Sequence, residues 1–446
     1  MRRSFPFYGF VGIFLLILSE ILLFRKVQPF YTWFYSFAWW SYILAVDGLV
    51  YRLKGRSLIL HRTREFFLMI PWSVFIWLIF EAANLSLENW YYINLPPSAA
   101  ERWLGYALAY GTVLPALFET TELLGALGLF NRARIRKLSV SSRGRDVLVL
   151  LGALFLALSV LFPVYFFPLI WVAFAFLLEP FNYQFGQHSL LKDLAEGDPR
   201  RICRLLVAGL ICGGLWEFWN HWARAKWIYT VPFFDETKAF EMPLLGFLGF
   251  PPFAVEAYVM YQFVSLFQSQ RGWEASAYHP NLRKKAGTLR SFLLAILITA
   301  FAILIFMAID IKTVNSYEPR LQDAYWIDPK YREELPKAGV PTLQALVSRT
   351  NERKDVEELA LRLLVPKEEL QRWVTTARIA ETKGIGIGNL RLLEGAGVDS
   401  LEMLAREDPE RLRKRMEGVF GPENVPGRAR LRIWIKEAKR QVISDH

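Results

Sequence analysis

Along the first 310 residues, apolar runs of about twenty residues alternate with short polar stretches. From about Lys312 onward the chain turns polar, with apolar residues at helical spacing. A helix rises about 1.5 Å per residue, so roughly 20 apolar residues cross a bilayer. Nine runs fit: about 9–24, 30–51, 66–86, 102–128, 146–163, 165–184, 202–222, 243–267 and 289–310. The pattern predicts an all-α protein, a polytopic membrane helix bundle followed by a soluble domain. Its expected parts are a first membrane repeat (1–145), a second (146–288), a tethering helix (289–311), a linker (312–324) and a soluble domain (325–446).

Charge adds an orientation. The formal net charge is +11. With the N-terminus in the cytoplasm, the segments on that side hold 22 Lys and Arg, and the opposite ones hold 6. That bias follows the positive-inside rule. The basic runs Arg132-Ala-Arg-Ile-Arg-Lys137 and Arg283-Lys-Lys285 set topology and attract anionic headgroups. No small-residue cleavage site follows the first run, so it reads as an uncleaved span. An odd number of spans then puts the soluble domain outside, on a protein of the cell (inner) membrane. Residues 311–446 carry 25 basic against 22 acidic side chains, so nucleic acid is not expected as a partner. Cys203 and Cys212 read as small packing residues.

The stretch Leu215-Trp-Glu-Phe-Trp-Asn-His-Trp222 places a carboxylate and an amide in an apolar run, and it has an earlier partner in Phe80-Glu-Ala-Ala-Asn84. Glu81 matches Glu217, Asn84 matches Asn220, Trp90 matches Trp227, and Glu119 matches Glu256. Asp47 and Tyr51 match Glu179 and Tyr183, 132 residues apart. Each copy is about four spans long, so both face the same way, and a site between them is expected. Intramembrane carboxylates are costly and mark function.

Glu217, Glu256, Glu81 and Glu119 are the candidate catalytic residues, as proton donors and acceptors. Asn84 and Asn220 would orient them, with Trp90, Trp227, Tyr229, Asp47 and Glu179 around the substrate. A buried carboxyl can hold a proton at neutral pH, a second can take one back, and aromatic faces stabilise a cation. That chemistry isomerises or cyclises an alkene in an apolar lipid and needs no cofactor and no metal. Two other readings stay open: a proton- or cation-coupled transporter using the carboxylates as a ladder, and a scaffold whose tail recruits protein partners.

The order acidic residue, Trp-x-Tyr, loop, Pro and Glu over residues 28–268 resembles the three-span lycopene cyclase domain, which occurs as tandem or paired copies. The resemblance implies a carotenoid or other isoprenoid substrate. It aligns Glu217, Trp227, Pro252 and Glu256 in one copy, and Glu81, Trp90, Pro115 and Glu119 in the other. The sequence departs from the family pattern in having Asn89 and Lys226 where a Gly precedes the Trp. It also lacks an adjacent Glu pair after the Pro, although Glu122 follows Glu119 by one turn.

In the tail, Lys337-Ala-Gly-Val-Pro-Thr-Leu343 matches Gly395-Ala-Gly-Val-Asp-Ser-Leu401, and Lys383-Gly-Ile-Gly-Ile-Gly388 has the spacing of a hairpin turn between helices. Asp399 or Ser400 is expected to cap Leu401–Arg406. Residues 325–442 resemble the helix-hairpin-helix-like domain of unknown function 4332. The resemblance and the near-neutral charge imply a protein-interaction module.

Overall fold

A computed structural model describes residues 3–231, 237–266, 273–274, 288–350 and 353–444, which fold into two units. The first holds residues 1–90, 99–224 and 231–313, and the second holds 91–98, 225–230 and 314–446.

The first unit begins with α1 (Phe7–Phe24), α2 (Phe30–Lys54), a short α3 (Leu58–His61) and α4 (Thr63–Leu87). The strand β1 (Trp90–Ile93) follows, with its first residue in this unit, and then α5 (Ala99–Tyr110) and α6 (Val113–Ala126). The chain continues with α7 (Ser142–Leu161), a turn α8 (Pro163–Phe166), α9 (Ile170–Gln184), a short α10 (Leu190–Glu196) and α11 (Arg200–Trp222). Next come β2 (Lys226–Tyr229), a hairpin of β3 (Lys238–Ala239) and β4 (Met242–Pro243), α12 (Phe250–Ser265) and α13 (Thr288–Lys312).

Seven helices among the described residues are long and apolar enough to cross a membrane, where the sequence pattern predicts nine. They are Phe7–Phe24, Thr63–Leu87, Ser142–Leu161, Pro163–Gln184, Arg200–Trp222, Leu244–Ser265 and Phe292–Lys312. The other two differ for visible reasons. The polar residues of α2, Asp47 among them, dilute its apolar character, although its 25 residues give it the length. The run at 102–128 is broken at Gly111-Thr112 into α5 and α6. Ser73 of α4 stitches that break: its hydroxyl donates to Tyr110 O at 2.6 Å and accepts from Leu114 N at 3.0 Å.

Packing pairs also recur. α1 lies on α2 and α7 on α9, each through a glycine. A Cβ at Gly12 would stand 2.6 Å from Ser41 O, and one at Gly152 would stand 2.4 Å from Leu177 N. Only a hydrogen lets these backbones approach so closely. α6 packs on α2, α4 and α11, and α12 packs on α9 and α11.

The helix α13 does more than tether. Its Asp310 accepts from Arg102 Nε at 3.1 Å and Nη2 at 2.6 Å, from Trp103 Nε1 at 3.1 Å and from the Tyr106 hydroxyl at 3.0 Å. All three donor residues lie on α5, with Tyr106 one helical turn beyond the adjacent Arg102 and Trp103, so one side of the helix grips the carboxylate.

The second unit contains α14 (Pro329–Lys337), α15 (Leu343–Arg349), α16 (Arg353–Leu363), α17 (Lys367–Glu381), α18 (Gly386–Gly395), α19 (Leu401–Arg406), α20 (Pro409–Phe420) and α21 (Arg428–Ser444). The matched heptapeptides end one helix and start the next in the same way. Val340 N donates to Leu335 O at 2.8 Å, and Val398 N donates to Leu393 O at 2.9 Å. Thr342 then caps Ala345 N at 3.0 Å and Ser400 caps Met403 N at 3.2 Å, the second as the sequence predicts. Two apolar clusters form the core, one around Leu335, Leu343 and Trp373 and one around Leu390, Leu404 and Trp434. Trp326 and Ile387 pack against both.

This unit begins earlier than residue 325 and recruits two loops. Residues 314–317 run parallel to Tyr92–Leu95, with Asn315 N donating to Tyr92 O at 2.8 Å and Glu318 N to Leu95 O at 2.8 Å. β1 pairs with β2. Tyr91, Ile93 and Ile228 form a small buried cluster with Ile433 against it, and Arg430 lies 4.9 Å over the Tyr91 ring.

Candidate functional site

The expected site residues of the first unit lie in three layers along the helices. Ser73 fixes the level at which α4 crosses the start of α6. Glu81 is eight residues beyond it in one direction, and Glu119 is five residues beyond Leu114 in the other. At 1.5 Å per residue the two carboxyl positions are about 20 Å apart along the bundle. Gly209 meets Phe250, Pro251 and Ala254, which puts Glu217 and Glu256 at a similar separation, about 18 Å. Each pair therefore spans two distant positions. Asp47 and Glu179 belong to the third layer, toward α3 and α10.

Glu81 is fully buried. Its Oε1 accepts from Trp77 Nε1 at 2.9 Å and from Trp90 Nε1 at 3.1 Å. Trp77, four residues before Glu81, sits one turn away on the same face. Trp90 reaches back because Asn84 closes the turn after α4. The Asn84 Oδ1 accepts from Asn89 N at 2.9 Å and Trp90 N at 3.3 Å, and its Nδ2 donates to Trp90 O at 2.9 Å. The expectation that Asn84 orients Glu81 directly is thus corrected: it orients Trp90, and the indole holds the carboxylate.

Around Glu81 the two halves meet in aromatic rings. Trp77 lies 5.2 Å from Trp216 and 5.8 Å from Phe253. Phe80 stacks on Trp171 at 5.4 Å, and Trp90 stacks on Trp171 at 6.3 Å. The cluster continues through Trp39, which lies 6.0 Å from Trp216 and 4.9 Å from Trp219. Trp39, Trp72 and Trp273 are buried, and Trp103 is bonded to Asp310, so these four pack inside the unit.

Glu217 and Asn220 are also fully buried, on α11 beside Trp216 and Trp219. Trp227 and Tyr229 are half-buried and belong, with all of β2, to the second unit, whereas Trp90 is buried in the first.

Asp47 and Glu179 share one visible task. Asp47 Oδ1 accepts from Ile59 N at 2.8 Å, and Glu179 Oε1 accepts from Leu191 N at 2.9 Å, so each carboxylate holds the first turn of the short helix that follows. Glu179 also accepts from the Ser189 hydroxyl at 2.5 Å. Glu256 Oε1 accepts from Phe174 N at 2.6 Å, near the start of α9. Glu119 is fully buried, with no donor on either carboxyl oxygen among the described residues.

Sequence reasoning passed over Arg62. It is buried, donates to Glu122 Oε2 at 2.7 Å and also to Trp273 O. Trp273 stacks on Phe118 at 4.6 Å. The next residue, Glu274, accepts from Arg201 Nε at 3.0 Å, and Arg201 also pairs with Asp193. The signal was one of five basic residues at 52–64, which reads there as a topology charge. Outside the apolar helices, burial raises Asp193 to about 6, although Arg201 opposes the shift. Burial lowers His188, which lies 3.2 Å from Glu274. The hydrogen bond from Arg200 lowers Asp198 to about 2. Among the described residues no three His, Cys, Asp or Glu side chains gather as a metal site.

Residues 326–441 match the family model of a domain of unknown function, DUF4332. No curated protein and no solved structure matches the chain. The match covers the tail alone, and the lycopene cyclase resemblance of the membrane part gains no support from these comparisons.

Proposed function

We propose that the membrane part binds a long apolar lipid of the isoprenoid class where its two halves meet, and performs acid–base chemistry on it. The observation that carries this is Glu81: a fully buried carboxylate held by two indoles inside an aromatic cluster contributed by both halves. Ring faces stabilise a transient cation, and a carboxylate among them completes a site that takes up its proton. The separation of about 20 Å between carboxyl layers suits an extended chain, protonated at one place and deprotonated at another. In this reading α2 and the broken α5–α6 pair also span the bilayer. That gives nine spans in two parallel repeats and places the tail on the extracytoplasmic side.

The tail acts as a docking module for its own chain. Gly384, at φ +80°, and Gly386, at φ +65°, form the turn between α17 and α18. Asn315 Nδ2 donates to Gly384 O at 2.7 Å, and a Cβ on Gly386 would meet Ser316 at 3.0 Å. A turn that could cradle a phosphate is occupied by residues 315–317, which supports a protein-binding role over a nucleic-acid one.

The test is organic extraction of the purified protein followed by mass spectrometry, with conversion of the extracted compound as the second readout. A stoichiometric isoprenoid, depleted in Glu81→Gln and in Trp90→Phe, is the expected result. Bulk phospholipid alone, with no compound lost from either variant, would overturn the proposal and leave the proton-coupled transporter as the stronger reading.

A further inference from the structure

The last helix of the tail has a face that its own fold leaves without counter-charge. In α21, Leu431, Trp434, Ile435 and Ala438 are buried in the apolar cluster around Leu390 and Leu404. Arg432, Lys436 and Lys439 are exposed, away from that core. Spaced four and three residues apart, they share one side of the helix. Ile443, four residues beyond Lys439, ends the same side and is 75% exposed. No acidic residue stands three or four positions from any of the three cations, and Arg432 and Lys436 are like charges one turn apart. That arrangement costs a helix stability unless an anion from elsewhere offsets it.

Neighbouring cations are matched within the tail. Arg413 pairs with Glu417 at 3.0 Å, Arg428 with Glu410 at 3.1 Å and Arg440 with Glu437 at 3.0 Å. Arg432, Lys436 and Lys439 make no ion pair among the described residues. Residues 401–446 hold 11 basic against 8 acidic side chains, whereas 313–400 hold 13 against 14, so the positive excess of the tail lies at this end.

Chain continuity keeps this helix near apolar helix ends. Arg430, beside the exposed face, donates to Asn315 Oδ1 at 3.1 Å and lies 4.9 Å over the Tyr91 ring. Asn315 is three residues past Lys312, the end of α13, and Tyr91 is four past Leu87, the end of α4. Both helices are long and apolar enough to cross a membrane. Four residues reach about 14 Å at most, so a bilayer around α13 and α4 stands at high local concentration to the start of α21. Weak attraction per cation is then enough. The exposed isoleucine selects among polyanions. Cations at the headgroups with an apolar side chain beneath them suit a bilayer surface, whereas a nucleic acid backbone offers Ile443 nothing.

We infer that the Arg432, Lys436 and Lys439 face of α21, with Ile443 at its end, docks the tail on the anionic phospholipid headgroups of the bilayer that holds α13. The inference rests on the membrane reading of α13 and needs neither a lipid substrate nor a particular side of the membrane for the tail.

Lysine acetylation of the full chain in nanodiscs tests it, with labelling kept low and read residue by residue by mass spectrometry. The discs contain phosphatidylcholine alone or with one-third phosphatidylglycerol. Lys436 and Lys439 are expected to react roughly fivefold more slowly in the anionic discs. The difference should vanish at about 1 M salt, where the Debye length is about 3 Å, and should shrink in Arg432→Gln. Lys330, exposed on α14, should react alike throughout and serves as the internal reference. Equal rates in the two discs overturn the inference. Equal protection in both, insensitive to salt, also overturns it and assigns the face to a second copy of the chain. Protection by added duplex DNA in neutral discs, with none from phosphatidylglycerol, gives the face to nucleic acid instead. A chain that does not enter discs refutes the membrane reading itself, an outcome distinct from all of these and from failure to extract an isoprenoid.

Discussion

Replacing Asp310 by Ala should destabilise the membrane unit more than any other single change in α13. The carboxylate is mostly buried and accepts four hydrogen bonds from one face of α5. Its loss leaves the Arg102 guanidinium, only 6% exposed, without its carboxylate. Breaking a buried ion pair from one side costs about 3–5 kcal/mol, most of it from the charge left behind. Arg102 has further interactions, so a cost near the lower end, about 3 kcal/mol, is expected. The second variant separates attraction from desolvation. Removing both charges in Asp310→Leu with Arg102→Met should recover most of the loss, because an apolar pair of similar volume has no desolvation penalty to offset. The assay is a denaturant midpoint in detergent for wild type, each single variant and the double variant. A double variant as unstable as the sum of the singles would refute the argument, since the pair would then contribute attraction well beyond its desolvation.

Three smaller perturbations follow from the same geometry. Ser73→Ala leaves Tyr110 O and Leu114 N without their bridge at a buried helix break, at a cost of about 1–3 kcal/mol in the same denaturation assay, and an unchanged midpoint would refute it. Gly386→Ala puts a Cβ 3.0 Å from Ser316 at a φ of +65°, so limited proteolysis near residues 314–324 should accelerate while the membrane unit keeps its melting point. Burial raises Asp193 to about 6 from an unfolded value of 3.8, so its contribution to stability is full below pH 3.8 and is lost as pH rises through 6. Asp193→Asn removes that slope: relative to wild type, the variant should gain roughly 2 kcal/mol between pH 4 and 7 in pH-dependent unfolding, and parallel curves would contradict it.

Apolar run lengths predicted most of the helices, because a run of twenty apolar residues has few alternatives to a helix. Where polar side chains interrupted the pattern, the outcome depended on tertiary partners. The break at Gly111-Thr112 follows from Ser73, 38 residues earlier, which satisfies the freed backbone groups. The pairing of Glu81 with Trp90 was half legible. The residues stood out by recurrence, yet the sequence assigned to Asn84 the task that the Trp90 indole performs. Arg62 and Asp310 were legible only as charges, since their partners Glu122 and Arg102 are 60 and 208 residues away. In the tail, matched heptapeptides predicted a cap at Asp399 or Ser400, because capping is local chemistry. The recruitment of residues 91–98 and 225–230 was not legible, since strand pairing over such separations leaves no local signature.

A repeated sequence need not perform a repeated task. At the inner layer both halves use a carboxylate to hold the helix that follows, a role that any acceptor of the right length fills. In the second half Ser189 completes that role from within the same segment. In the first half the Tyr8 hydroxyl arrives from α1 instead and donates to Asp47. Farther along α4, Glu81 is held by the indoles of Trp77 and Trp90. Asp47 and Glu179 each take one hydroxyl and one backbone N–H, whereas Glu256 takes the backbone N–H of Phe174. Two identical sites would do the same chemistry twice. Matched carboxylates that bind different donors, a hydroxyl of α1 in one case and of the same segment in the other, need not act alike.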